Sequence, residues 1–147
     1  LALLLKAQGK YDEVKPLYER AIEISEKALG PEHPDVGNAL RNLATVLRHQ
    51  GKYDEAKPLC ERAIAIGEKA LGPEHHDTAV AQETLAEVLN AQGHFEQAEK
   101  LALRGLAMLQ NILGETHEST AESLNILGWI HGDRGDLEKA SESHEQA

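Results

Sequence analysis

Residues 9–50 read GKYDEVKPLYERAIEISEKALGPEHPDVGNALRNLATVLRHQ, and residues 51–92 begin again with GKYDEAKPLCERAIAIGEKALGPEHHD. The two blocks are identical at 28 of 42 positions. A looser third block covers Gly93–Arg134, and a fourth starts at Gly135 and is incomplete. A period of about 20–50 residues is typical of a solenoid, whose units bury their apolar faces by stacking on one another. The period therefore predicts a repeat array and directs attention to a binding surface.

Each block predicts two helices separated by tight turns. Leu40, Leu43 and Leu47 share one helical face, and Gly51 then ends that helix, because glycine adopts positive φ at little cost. Glycine followed by proline at Gly72-Pro73 ends the next helix. Pro16 and Pro58 lie early in second helices, where we expect a small irregularity rather than a break. The predicted helices are 1–8, 11–29, 35–49, 53–71, 77–91, 95–113, 119–133 and 137–147.

The links between helices carry polar residues that recur every 42 positions. Asp35, Asp77 and Ser119 are predicted to cap the helices that follow, since their side chains accept bonds from free N–H groups. The histidines at 33, 75 and 117 also recur, but no pair has a ligand spacing such as His-x3-His. We therefore interpret them as hydrogen-bonding groups that shape the turn, and no metal site is expected.

Composition excludes several classes of function. The net charge is −10 and the cations are scattered, which argues against nucleic acid. No apolar run approaches about 18 residues, so no membrane span is expected. The single cysteine, Cys60, fits a reducing compartment and predicts a cytoplasmic protein; it lies on an apolar stripe and is expected to be buried. No phosphate-binding glycine loop or Gly-x-Ser-x-Gly occurs, so neither an enzyme nor a cofactor is expected.

The repeat resembles a known family. The pattern Leu40-x-x-Leu43-Ala44-x-x-Leu47, followed by Gly51-x-Tyr53-x-x-Ala56, resembles the tetratricopeptide repeat signature. The 42-residue length, with GKYDEA and LGPEHPD, is similar to the repeats of kinesin light chain. The resemblance implies an all-α fold, a right-handed α-solenoid of antiparallel helix pairs. It also implies that the first helices of successive units line a concave groove for a peptide or partner helix.

The array is expected to occupy 1–147 as one domain and to be a fragment of a longer chain. It comprises a partial helix at 1–8, repeats at 9–50, 51–92 and 93–134, and a partial repeat at 135–147. The last units depart from the family pattern. His131 and His144 occupy slots that are normally apolar, where we expect buried, hydrogen-bonded histidines, and Gly105 replaces the alanine of the other units.

The groove hypothesis names particular side chains. Residues spaced by three, four and seven share a helical face, opposite the packing stripe of each first helix. The candidates for partner binding are Asn38, Arg41, Thr45, Arg48, Glu83, Glu87, Asn90, Asn125 and Trp129, with Val80, Glu122 and Asp133 on the same faces. The arginines could hold carboxylates, the asparagines a peptide backbone, and Trp129 an apolar anchor. One alternative is a solvated polar face with a single stray tryptophan. A separate alternative for Trp129 is partial burial against the neighbouring unit.

The charges along this surface are uneven. It is basic near Lys6, Arg41 and Arg48, and acidic near Glu83, Glu87, Glu122 and Asp133. A ligand with separated acidic and basic ends would bind in one polarity, unless the opposite charges pair with each other. The sequence thus predicts a protein–protein interaction scaffold. Two alternatives stay open: self-association through apolar repeat ends such as Leu1, Leu3, Leu4 and Leu5, and a regulatory arm of a larger nucleotide-binding signalling protein.

Overall fold

A computed structural model of the chain describes residues 11–135, which form six helices and no strand. The helices are α1 Tyr11–Leu29, α2 Pro34–His49, α3 Tyr53–Ala70, α4 His76–Ala91, α5 Phe95–Leu113 and α6 Glu118–Asp133. Every predicted bound within this range is confirmed to within one residue. The helices predicted at 1–8 and 137–147 lie outside the described residues.

The first compact unit extends to Pro73 and contains α1, α2 and α3. Helix α2 packs against both α1 and α3. Val14 of α1 and Val46 of α2 are fully buried against each other, and Tyr11 and Tyr18 cover them. The apolar face predicted for α2 is confirmed, since Leu40, Leu43 and Leu47 are all buried.

The second compact unit begins at Glu74 and contains α4, α5 and α6. Helix α5 packs against α4 and α6, and α4 also contacts α6 directly. Ala79 of α4 packs with Met108 and Leu109 of α5, and Leu113 lies over this cluster. The contact between α4 and α6 places two first helices of successive repeats side by side.

Glycines end the helices as the sequence predicts. Six of them, spaced through the described residues, have φ between 74° and 96°, in the left-handed region that side chains with a Cβ disfavour. At Gly51 this conformation lets the backbone N–H of Lys52 bond back to the carbonyl of Leu47 at 2.8 Å. The turns are therefore fixed by backbone chemistry at a constant register.

The capping prediction is wrong. The N-cap residues are His33, His75 and His117, and each imidazole Nδ1 accepts the backbone N–H two residues later at 3.2 Å. The predicted caps Asp35, Asp77 and Ser119 lie inside the first turn and are the donors of these bonds. Proline is favoured at the first helical position. Pro34 accordingly begins α2, and the cap is the residue before it, His33. The interpretation of the histidines as turn-shaping groups is confirmed.

For the two prolines the expected absence of a helix break is confirmed, and the burial expected of Cys60 and His131 is confirmed as well. Pro16 lies within α1 and Pro58 within α3 without interrupting either helix. Cys60 is fully buried on α3. His131 is buried on α6, where its Nε2 lies 2.8 Å from Oε1 of Glu99 on α5. His144 lies outside the described residues.

Candidate partner-binding site

In the first unit the candidate residues lie along one face of α2. Asn38, Arg41, Thr45 and Arg48 are all half-buried. The Thr45 hydroxyl donates to the carbonyl of Arg41 at 3.0 Å, so it satisfies its own helix rather than pointing a donor outward. What this face offers a partner is mainly the two guanidinium groups, placed two helical turns apart.

In the second unit the exposed faces of α4 and α6 enclose a cavity of about 250 Å³. Three carboxylates line it, those of Glu83 and Glu87 from α4 and that of Glu122 from α6. Val80, Ile126 and the indole of Trp129 form its apolar walls, and Thr84 and Asn125 complete it. Four of the nine candidates therefore meet at this cavity: Glu83, Glu87, Asn125 and Trp129.

Glu83 is the buried member of this group, with only 6% of its surface exposed. The Ser123 hydroxyl on α6 hydrogen-bonds to its Oε1. On α5 the facing residue is Gly105, where a Cβ would lie 3.0 Å from Cγ of Glu83. Glycine at the position of Ala63 in the preceding repeat thus leaves the space that the buried carboxyl group occupies.

Burial raises the pKa of Glu83 to about 7, and the carboxylates of Glu122 and Glu87 add to this increase. The hydrogen bond from Ser123 opposes it. Ser123 has one hydroxyl proton but two acceptors, since the carbonyl of Ser119 lies 3.0 Å from the same oxygen. When Glu83 is ionised, Ser123 donates to it; when Glu83 is protonated, Ser123 donates to Ser119 and accepts from Glu83. The site therefore accommodates both charge states near neutral pH.

Trp129 forms an exposed wall of the cavity. It is 53% exposed, the most of any tryptophan, tyrosine or phenylalanine in the described part of the chain. A large aromatic surface left in water next to a cavity is a typical anchor for a binding partner.

Asn90 does not line this cavity. Its side-chain Nδ2 donates to Oδ2 of Asp133 at 2.6 Å, which joins the C-terminal ends of α4 and α6. Glu99 makes a second link, between α5 and the end of α6, by bonding to His131 and to Nη1 of Arg134 at 2.8 Å each. The hydrogen bond from His131, with that from Arg134, lowers the pKa of Glu99 despite its partial burial. These bonds hold the helices that carry the cavity.

The sequence-based face omitted Thr84 and Ile126. Each lies four residues after a residue of the predicted face, Thr84 after Val80 and Ile126 after Glu122. The i, i+4 spacing therefore contained the signal for both. They occupy equivalent positions of successive repeats, 42 residues apart.

Residues 11–135 contain neither a metal-binding cluster nor a helix that could cross a membrane. No three His, Cys, Asp or Glu side chains there converge to hold a metal ion. None of the helices in that range combines the length and apolarity that a membrane crossing requires.

Comparison with known proteins identifies the class. The family model described as Tetratricopeptide repeat matches residues 1–57 and 36–111. The chain belongs to the tetratricopeptide repeat family, with the all-α solenoid fold class of that family. Such repeats generally serve as protein–protein interaction scaffolds, and no catalytic family is indicated.

Solved structures show which tetratricopeptide repeat proteins this chain resembles. This chain is similar to a Podosopora anserina protein described as a kinesin light chain with nearly identical TPR-like repeats. The TM-score is 0.85 and the identity 29%, over 99% of this chain and 69% of that one. BtubC (BKLC) from P. vanneervenii matches with a TM-score of 0.83 and 26% identity, over 99% of this chain and 57% of that one. The resemblance to kinesin light chain repeats is thus confirmed. Among curated proteins, none matches at a significant level.

Proposed function

We propose that this chain is an interaction scaffold that binds a peptide or helical segment of a partner protein. The contact surfaces are the exposed face of α2 in the first unit and the faces of α4 and α6 in the second. The observation that carries the proposal is the cavity between α4 and α6, with the half-exposed Trp129 at its wall. The helices that hold these side chains are already packed, so the ordering cost on binding falls mainly on the ligand.

Charge supports two different kinds of contact within this function. Arg41 and Arg48 on α2 suit carboxylates, which guanidinium groups bind through paired N–H donors. The α4 and α6 faces carry carboxylates and suit a basic group. The single cysteine supports a reducing, cytoplasmic compartment as the place where the chain binds its partner.

A peptide selection tests the proposal. A library of random 12-residue peptides displayed on phage is selected on the intact chain, and the enriched peptides are synthesised. Their affinity is then measured for the native chain and for the variant Arg41→Glu/Arg48→Glu/Trp129→Ala. We expect at least a tenfold loss, because the variant removes both guanidinium groups and the aromatic anchor.

A matched variant controls for charge and for folding. Arg20→Glu/Lys100→Glu/Leu103→Ala makes the same charge change, with Arg20 on α1 and Lys100 on α5, and truncates one exposed apolar residue, Leu103 of α5. Both variants should keep the native helical circular dichroism, and only the first should lose the peptides. Equal losses in the two variants, or peptides that bind both as well as the native chain, would contradict the proposal.

The alternatives have different tests. Self-association through Leu1, Leu3, Leu4 and Leu5 concerns residues outside those that the structure describes, and it predicts a mass that rises with concentration. A regulatory arm of a nucleotide-binding protein predicts a phosphate-binding loop elsewhere in the parent chain. No observation among the described residues favours either over partner binding.

A further inference from the structure

The net charge of the chain is confined to its second half. Residues 1–73 contain eleven Lys or Arg and eleven Asp or Glu, whereas residues 74–147 contain four and fourteen. Within the second half, the cavity between α4 and α6 is lined by three carboxylates, and no Lys, Arg or His is among its described lining residues. Both the wider field and the local lining therefore favour a cation at this position.

The carboxyl group of Glu83 gives this preference a specific centre. It is more than nine-tenths buried, lines the cavity and accepts one hydrogen bond, from Ser123. Within the described part of the second unit, the charged groups that act on it are Glu87 of its own helix and Glu122 of α6, both anionic, and α5 presents Gly105. An ionised carboxylate there accepts the hydrogen bond from Ser123, and a cation that enters the cavity stabilises it further.

The size and walls of the cavity select the kind of cation. At about 250 Å³ it is smaller than the roughly 300–1,000 Å³ of most small-molecule sites, and it suits one side chain. The exposed face of Trp129 attracts a cation, and a planar guanidinium group stacks on an aromatic ring better than an ammonium group does. A guanidinium group also bonds carboxylates through several N–H donors at once.

We infer that this cavity accepts one arginine side chain of the bound partner, with its guanidinium group between the indole of Trp129 and the carboxylates of Glu83, Glu87 and Glu122. The inference rests on the proposed function and specifies its ligand on the α4 and α6 faces. Entry of the cation favours ionised Glu83, so binding releases a proton wherever Glu83 was protonated beforehand. Affinity should therefore rise between pH 6 and pH 8.

The test uses small probes and the indole of Trp129, the only tryptophan in the chain. The intact chain, labelled with ¹⁵N, is titrated with butylguanidinium and separately with butylurea, its neutral isostere, while the indole N–H resonance is followed. We expect saturable binding of butylguanidinium with a Kd of about millimolar, as befits a fragment of a few atoms. Butylurea should bind at least fivefold more weakly, and the butylguanidinium Kd should fall at least twofold from pH 6 to pH 8.

Two variants with the same charge change distinguish binding in the cavity from attraction by the overall negative charge of the chain. Glu83→Gln should weaken butylguanidinium binding at least threefold and abolish its pH dependence. Glu115→Gln removes an exposed carboxylate in the link before α6 and should leave the Kd within 1.5-fold of native at about 0.15 M salt, where distant charges are screened.

Several results would overturn the inference. These are equal binding of the guanidinium and urea probes, an unchanged Kd in Glu83→Gln, or an equal loss in Glu115→Gln. If peptides from the library lose affinity for the Arg41→Glu/Arg48→Glu/Trp129→Ala variant while butylguanidinium does not bind, the arginine pocket is wrong and the scaffold function stands. If butylguanidinium binds as expected but no peptide depends on the faces of α2, α4 and α6, the proposed function is wrong. The cavity then binds a guanidinium group without being a partner site, so the inference is wrong as well.

Discussion

The substitution Glu83→Gln should make the protein more stable at alkaline pH. The carboxyl group is buried beside two other carboxylates, Glu87 and Glu122, and burial raises its pKa from 4.5 to about 7. Glutamine has nearly the same shape, keeps an oxygen that accepts the Ser123 hydroxyl, and never ionises. The variant therefore removes the cost of burying the charge and little else.

The sign and size of this change in the free energy of unfolding follow from proton linkage. Above pH 4.5 the folded state of the native chain holds a proton that the unfolded state has lost, so stability falls as pH rises, until the folded pKa near 7 is passed. Because a tenfold change in proton affinity corresponds to about 1.4 kcal/mol, the rise from 4.5 to about 7 amounts to about 3 kcal/mol. The stability gain of Glu83→Gln over native should thus be near zero at pH 4.5 and about 3 kcal/mol at pH 8.

The assay is urea unfolding at 25 °C, followed by circular dichroism from pH 4.5 to pH 8. The two proteins differ only at position 83, so the difference between their unfolding curves reports the effect of that carboxyl group. Glu122→Gln removes an exposed carboxylate from the same cavity and should change stability by less than about 0.5 kcal/mol at either pH. A gain from Glu83→Gln that is the same at pH 4.5 and pH 8, or a loss at pH 8, would refute the reasoning.

Three other substitutions test the packing and the turns, each by urea unfolding. His75→Ala removes the imidazole that caps α4 and should cost about 0.5–2 kcal/mol, which asparagine at the same position should largely restore; no loss on alanine substitution would contradict the cap. Glu99→Gln weakens the acceptor shared by His131 and Arg134 and should cost about 1–3 kcal/mol at pH 7. Since the folded pKa of this carboxyl lies below its ordinary 4.5, that cost should shrink as pH falls through the folded pKa, and a gap that stays constant down to pH 3 would contradict the assignment. Gly93→Ala places a Cβ at φ 81° and should cost about 1–2 kcal/mol, less with asparagine, whereas an unchanged stability would show that the turn tolerates a Cβ.

The helices were predictable because their signals recur at a fixed period. Glycines at the helix ends and the apolar spacing agree through successive repeats, and a proline follows the glycine in two of them. Agreement between such levels is what makes a sequence specify one fold. The caps were assigned to the wrong residues because a histidine is a less common cap than aspartate. Pro34, by its preference for the first helical position, contained the correct signal.

The lining of the cavity between α4 and α6 was predictable in part. Helical spacing put Glu83, Glu87, Asn125 and Trp129 on exposed faces, and these four do meet at one cavity. The burial of Glu83 could not be read from one helix, because it depends on Gly105 and on a serine from another helix. Contacts between helices determine which polar residues of an amphipathic face lose water, and periodicity within a helix does not contain that information.

The proposed use of the first helices can be tested most directly by mapping a bound peptide. A library-selected peptide is added to the ¹⁵N-labelled chain, and the backbone amides whose resonances shift are located on the six helices. If the first helices bind the peptide, the shifted amides cluster on α2, α4 and α6, with the indole N–H of Trp129 among the most affected resonances. Shifts confined to α1, α3 and α5, with the Trp129 indole unchanged, would contradict it.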